Sequence, residues 1–185
     1  MRASELKGKL IAVPGTMTTA FLILKLFEPD FRHVVVPFDK IFDRVAKGKA
    51  DAGLIIHEGQ LTFSTLGLHK VVDLGEWWHK ETKLPLPLGG NFVRKDLGAK
   101  LIAQISYTLR KSIEYALEHR DEALNYAMQF ARDMEEEVAD KFVGMYVNDR
   151  TLNYGQAERR AIQLLLDMGH QKKIINQRVR IEFAE

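Results

Sequence analysis

Lys9-Leu10-Ile11-Ala12-Val13-Pro14-Gly15-Thr16-Met17-Thr18-Thr19-Ala20-Phe21-Leu22-Ile23-Leu24-Lys25-Leu26-Phe27 is the stretch that decides the fold class. Residues 9–13 form a short apolar run that suits a buried strand, and Pro14-Gly15 breaks it. From Thr18 the apolar residues recur at helical spacing through Phe27. A strand that passes through a tight turn into a helix is the first half of a βαβ unit. Residues 32–36 are rich in β-branched side chains and predict a second strand, ended by Pro37. Phe38, Ile41, Phe42 and Val45 follow a helical period that Gly48 closes. Residues 52–56 predict a third strand, followed by a short helical or turn segment through Thr65, and Gly67 punctuates. Residues 70–74 predict a fourth strand, and residues 76–83 a helical turn or two. The alternation predicts an α/β fold on a mainly parallel sheet.

The pattern changes after Leu84-Pro85-Leu86-Pro87-Leu88-Gly89-Gly90. Proline stiffens the approach to this stretch and glycine frees its exit, as suits a crossing between lobes, although a plain surface loop has the same composition. One extended run at 91–94 precedes a long helical pattern, with Leu97, Leu101, Ile105, Leu109 and Ile113 spaced by fours. Residues 121–132, 135–146 and 156–168 predict three more helices, with Asp121 as an N-cap and Gly155 before the last. The tail from Lys172 is basic and reads as irregular or a short strand. The expected division is residues 1–87 as an α/β lobe and residues 88–185 as a crossing strand with a helical part.

A chain of 185 residues, 46% hydrophobic and 28% charged, buries a core as one full domain or two small ones. Lys and Arg number 27 against 25 Asp and Glu, a net charge of only +2 with both signs interleaved. That balance argues against a nucleic-acid surface and against a polybasic membrane anchor. The absence of cysteine excludes disulfides, thiolate zinc sites and a cysteine nucleophile. The longest apolar stretch, residues 21–27, carries Lys25 and is far too short to span a bilayer. Residues 1–9 lack the apolar core of a signal peptide. The expectation is a soluble, cytoplasmic protein.

His57 ends the apolar run Gly53-Leu54-Ile55-Ile56, at the carboxyl end of a predicted parallel strand. Ligands of open α/β sheets bind outside such ends, and an imidazole there can take a proton near neutral pH. A strand-end histidine bonded to a neighbouring loop is the alternative. Glu58 beside it either orients the ring or faces solvent, and strand alternation favours solvent. Gly15, Thr18 and Thr19 lie in a strand–turn–helix junction whose hydroxyls and free N–H groups attract carboxylates and other oxygen-rich groups. Ordinary capping by Thr18 accounts for one of these threonines.

The other histidines, His33, His69, His79, His119 and His170, show no metal-ligand spacing backed by carboxylates. The cluster Asp133-Met134-Glu135-Glu136-Glu137 reads as a solvated helix start. One of Trp77 and Trp78 either lines a cleft or is a half-exposed structural residue. No Ser-His-Asp order, Rossmann fingerprint or nucleotide loop is present, so spacing alone gives a small-molecule site of unspecified chemistry.

Four strings carry a family resemblance: Val13-Pro14-Gly15-Thr16-Met17-Thr18-Thr19-Ala20, Ala52-Gly53-Leu54-Ile55-Ile56-His57-Glu58, Asp73-Leu74-Gly75-Glu76-Trp77-Trp78 and Leu84-Pro85-Leu86-Pro87-Leu88-Gly89. In this order the chain closely resembles the 1,4-dihydroxy-6-naphthoate synthases, the MqnD-type enzymes of the futalosine route to menaquinone. The resemblance implies a two-lobed fold like the type II periplasmic binding proteins, with a small-molecule site in the cleft and no metal or organic cofactor. One lobe would be complete, and the other represented by one strand and the C-terminal helices. It further implies carbon–carbon lyase chemistry, converting cyclic dehypoxanthinylfutalosine to 1,4-dihydroxy-6-naphthoate with release of dihydroxyacetone. The family's catalytic base falls on His57 and its substrate-binding threonine on Thr19.

The family's Ser-Pro-x-Pro-Asn-Asp-Thr motif has no counterpart here, so the expectation is a fragment, a split-gene product or a remnant. The partners this implies are a missing N-terminal segment, supplied by a separate chain, or a homo-oligomer. A solute-binding protein using the same cleft and the related chorismate dehydratase are the competing readings.

Overall fold

The computed structural model describes residues 1–130 and 135–184. The chain divides into two compact units, one of Met1–Gly89 with Ala157–Arg180 and the other of Gly90–Gln156 with Ile181–Glu185.

The first unit is built on three parallel strands, β1 (Leu10–Val13), β2 (Arg32–Val35) and β3 (Ala52–Gly53), in the order β2-β1-β3. Leu10 pairs with Arg32 and Val13 with Val35, while Ile11 pairs with Ala52 and Ala12 with Gly53. Helix α1 (Thr19–Phe27) crosses from β1 to β2, and α2 (Ile41–Ala46) crosses from β2 to β3. Alternate residues of β1 face opposite layers. Ile11 and Val13 pack with Phe21 and Leu24 of α1, and with Phe31 and Leu54. Ala12 packs with Ile41 of α2 and with Ala50. A central strand buried on both faces is apolar at every position, which is why residues 10–13 show no polar alternation. Each such aliphatic side chain contributes about 1.5–3 kcal/mol of burial. Gly53 lets α2 approach closely, since a Cβ there would lie 2.4 Å from Ile41 Cγ2.

Two strands predicted in this unit do not form as expected. The third is two residues long instead of five. Its ladder with β1 runs out where Pro14 follows Val13, because proline has no N–H for the next rung. Residues 70–74 form no strand. Val71 and Val72 pack against the core from an irregular segment, and Asp73 caps α4 (Leu74–Thr82) by accepting from Gly75 N at 2.9 Å and Glu76 N at 3.0 Å. The cap draws Leu74 into the helix. Before it, residues after β3 make a short helix, α3 (Gly59–Thr62), and a 3-10 turn at Phe63–Leu66.

The second unit is helical, with α5 (Ala99–Glu118), α6 (Arg120–Met128), α7 (Glu136–Tyr146) and α8 (Asp149–Leu152). Among its described residues there is no strand, so the expected crossing strand at 91–94 is corrected to an irregular segment. Phe92 there is 88% exposed, and a strand needs a neighbour that nothing here supplies. Helix α6 begins at Arg120, with Asp121 in its first turn and not at the cap. Arg132 at the predicted end of that helix, and Asp133 and Met134 of the acidic cluster, lie outside the described residues. Glu136 and Glu137 occupy the first turn of α7. Arg120 Nε donates to Asp140 Oδ1 at 2.7 Å and ties α6 to α7.

The last helix, α9 (Gln156–Gln171), runs from residue 157 onward in the first unit. Its Leu165 is buried with Ile23 and Trp78. Residues 88–185 are therefore not one continuous lobe. No helix among the described residues is long and apolar enough to cross a membrane.

Candidate functional site

The order β2-β1-β3 places a switch in strand connectivity between β1 and β3. The chain leaves β1 for one neighbour and reaches β3, on the other side, by way of β2. Open parallel sheets bind ligands at this point, outside the carboxyl ends of the strands. The segment after β1 carries Gly15, Thr18 and Thr19, and the segment after β3 carries His57. Both leave the same edge of adjacent strands.

Thr18 is the N-cap of α1. Its Oγ1 accepts from Phe21 N at 3.1 Å and donates to Gly15 O at 3.3 Å, so the hydroxyl has structural partners on both sides. Thr19 begins the helix, and its Oγ1 donates to Leu88 O at 3.0 Å. Trp78, fully buried, donates from Nε1 to Pro85 O at 2.9 Å. The proline-rich string is thus pinned to the first unit by Trp78 at one end and by Thr19 at the other. Trp77 packs edge-on against Phe27 at 5.4 Å. Both tryptophans serve packing in this unit.

His57 sits where the chain turns from β3 into α3. Gln60 N donates to His57 O at 3.0 Å and Leu61 N to Glu58 O at 2.8 Å, so residues 57–61 already make a helical turn. The side chain is 13% exposed. Phe38 and Phe42 flank the ring, each with its centroid 5.6 Å away. Gly59 N donates to Nδ1 at 3.0 Å, and Nε2 is buried with no hydrogen-bond partner among the described residues. Glu58 Oε2 lies 3.7 Å from Nδ1, beside the ring and not pointing away from it. The expectation that Glu58 faces solvent rested on strand alternation, and the backbone at Glu58 is helical (φ −52°, ψ −22°). Gly59 admits no side chain, since a Cβ would meet Phe42 Cε2 at 2.4 Å and His57 Cε1 at 2.6 Å.

The remaining histidines have local partners. His33 packs on Phe21 and Phe31, and His69 lies 3.2 Å from the chain's amino terminus. His79, His119 and His170 each have Nδ1 within 3.3 Å of a carbonyl oxygen, at Leu84, Tyr115 and Ile175. No group of three His, Asp or Glu able to hold a metal ion occurs among the described residues. An open depression of about 480 Å³ in the second unit is lined by Arg120, Asp121, Leu124, Glu136, Glu137 and Asp140. Arg120 and Asp140 there are paired with each other, and the depression is not where the sheet presents a ligand.

The first unit is a two-sided parallel α/β fold with a histidine and a capped helix start near its switch point. A sequence profile described as menaquinone biosynthesis matches residues 1–171, and the chain belongs to that family. It is 44% identical over 160 residues to a 1,4-dihydroxy-6-naphthoate synthase from Thermus thermophilus, covering 86% of this chain and 59% of that protein. It is 38% identical over 169 residues to a protein of the same name from Streptomyces coelicolor, covering 88% and 60%. The chain thus spans less than two thirds of the length of these relatives. A crystal structure of a protein from Archaeoglobus fulgidus superposes with a TM-score of 0.89 at 45% identity, covering 94% of this chain and 67% of that one.

Proposed function

We propose that this chain carries the proton-transfer half of a 1,4-dihydroxy-6-naphthoate synthase site, in a cytoplasmic pathway to menaquinone. The substrate class is a carboxylated cyclic futalosine derivative, cyclic dehypoxanthinylfutalosine, and the products are 1,4-dihydroxy-6-naphthoate and dihydroxyacetone. His57 removes a substrate proton and starts a retro-aldol-like carbon–carbon cleavage. Thr19 and the N–H groups of the Gly15–Thr18 turn hold substrate oxygen atoms, with Thr18 contributing through its cap. The whole site belongs to a two-lobed fold of the type II periplasmic-binding kind, of which the first unit here is one lobe.

The observation that carries this reading is the nearly buried His57 at the switch-point edge, with one ring nitrogen lacking a partner. The family membership and the names of the two relatives support the same reaction.

The test uses a chimera in which this chain replaces the matched region of the Thermus thermophilus relative. Replacing His57 with Ala is expected to lower turnover of the cyclic substrate about 100-fold or more, the scale of a lost general base. KM should change much less, because a base acts mainly in the transition state. Near-normal turnover would assign His57 to structure. Binding without turnover in the unsubstituted chimera would favour a solute-binding protein.

A further inference from the structure

A nitrogen that accepts an N–H cannot carry a hydrogen of its own. Gly59 N donates to His57 Nδ1 at 3.0 Å, so the proton of the neutral ring sits on Nε2. That Nε2–H is buried and unpartnered among the described residues, an unmet donor until an acceptor arrives. In this state the ring offers a donor to an oxygen atom and has no free lone pair at Nε2. A base acting through Nε2 requires the other tautomer, with the hydrogen on Nδ1. Nδ1–H and the Gly59 N–H would then face each other, hydrogen against hydrogen, so Nδ1 needs a different partner. Glu58 Oε2 is 3.7 Å away, and closing by about 0.8–1 Å brings it into a charge-assisted hydrogen bond. Phe38 and Phe42 wall the ring without offering another acceptor.

We propose that Glu58 is the positioning residue of His57: by taking Nδ1–H in place of the Gly59 N–H, it turns Nε2 from a donor into a proton acceptor. The inference rests on the reading of His57 as the base. In the exchange the ring stays neutral and its single proton passes from Nε2 to Nδ1 through solvent. In the following step a substrate proton bonds to Nε2, its electron pair stays on the substrate, and the Glu58 carboxylate balances the imidazolium. Gly59 is the resting lock, and it must be glycine because neither Phe42 nor His57 leaves room for a Cβ.

The experiment is 15N NMR of histidine-labelled, full 185-residue chain. In the neutral ring of His57 the hydrogen is expected on Nε2. A neutral ring protonated on Nδ1 overturns the proposal while leaving the base reading untouched. On acidification, the Hδ1 resonance of the charged ring is expected far downfield, and this downfield signal should be lost in Glu58→Gln. In the chimera described above, Glu58→Gln should lower kcat at least about tenfold with KM little changed. An unchanged kcat in that variant overturns the role of Glu58. His57→Ala with full turnover would instead remove the reading beneath it, so the two failures are told apart.

Discussion

The two units use similar apolar content in opposite ways. In the first, three short strands give the helices a sheet to cover, and Ile11, Ala12, Val13, Ile23, Ile41 and Trp78 are all within 2% of complete burial. In the second, only Leu124 and Ala139 are buried among the described residues. The series Leu101, Ile105 and Leu109 on α5 has the four-residue spacing of a core stripe, yet each residue is about 40% exposed, and α5 has no buried residue at all. Periodicity therefore reports what a helix is built to cover, and burial depends on whether a covering surface is present. A sheet supplies that surface in one unit. Within the second unit the helices have only each other.

Hydrogen exchange should read the difference between the two units most strongly. Amides of β1 and α1 should exchange about a thousandfold more slowly than those of α5, because local opening of an uncovered helix needs far less than global unfolding. Uniform protection through both units would show that α5 is covered in solution. Side-chain truncation sharpens the same contrast. Trp78→Ala should cost about 3–5 kcal/mol, read from exchange of the Ile11–Val13 amides. Ile105→Ala on α5 should stay within about 1 kcal/mol by the same method. An equal loss from both would contradict the packing difference.

Helix caps give a smaller effect. Thr18→Ala removes the bond to Phe21 N and should cost about 1 kcal/mol of α1 stability. Asn148 caps α8 by accepting from Arg150 N at 3.1 Å, and its replacement by Ala should cost less, since α8 is four residues long and carries no buried residue. Thermal melts followed by far-UV circular dichroism would rank the two.

Acid gives the smallest effect and should not separate the units. The Asp43 carboxyl is held below its ordinary value of 3.8 by its hydrogen bond from Lys47, and that of Asp96 by its hydrogen bond from Arg94. A carboxyl whose pKa is depressed by folding stabilises above the ordinary value and loses that contribution as pH falls through the lowered one. Both pairs are fully exposed, so the loss is small and screened by salt. Melting temperatures of Lys47→Met and Arg94→Met should converge on the parent's as pH falls below 3.8 and through the lowered values. A large, unit-specific acid effect would point to carboxylates other than these two.

Much of the first unit was legible in the sequence. The apolar run of β1, the break at Pro14-Gly15, the Thr18 cap and the helical period of α1 are local facts that local physics enforces. The β-branched run of β2 and the spacing of Ile41 and Val45 on α2 are of the same kind. His57 was legible as a candidate because it ends an apolar run. The spacing in the second unit placed α7 within a residue, and the series Leu101 to Ile113 falls inside α5, which runs on to Glu118, because a helix satisfies its backbone within itself.

Strands are different, because their hydrogen bonds belong to a neighbour. Residues 70–74 and 91–94 have strand-like composition, and only the tertiary structure decides that no edge receives them. The return of α9 to the first unit was equally invisible, since an amphipathic helix does not specify which core its apolar face will meet. The position of Glu58 follows the same rule. On a strand it would point away from His57, but the ladder ends early at Pro14 and the chain turns into a helix at His57. That turn brings the carboxylate to one side of Nδ1 and the Gly59 N–H against it. Local order along the chain already sets a histidine, a glutamate and a glycine side by side after an apolar run. Where the sheet stopped decided which of the two neighbours holds the ring, because hydrogen bonds between strands are settled by tertiary pairing and not by composition.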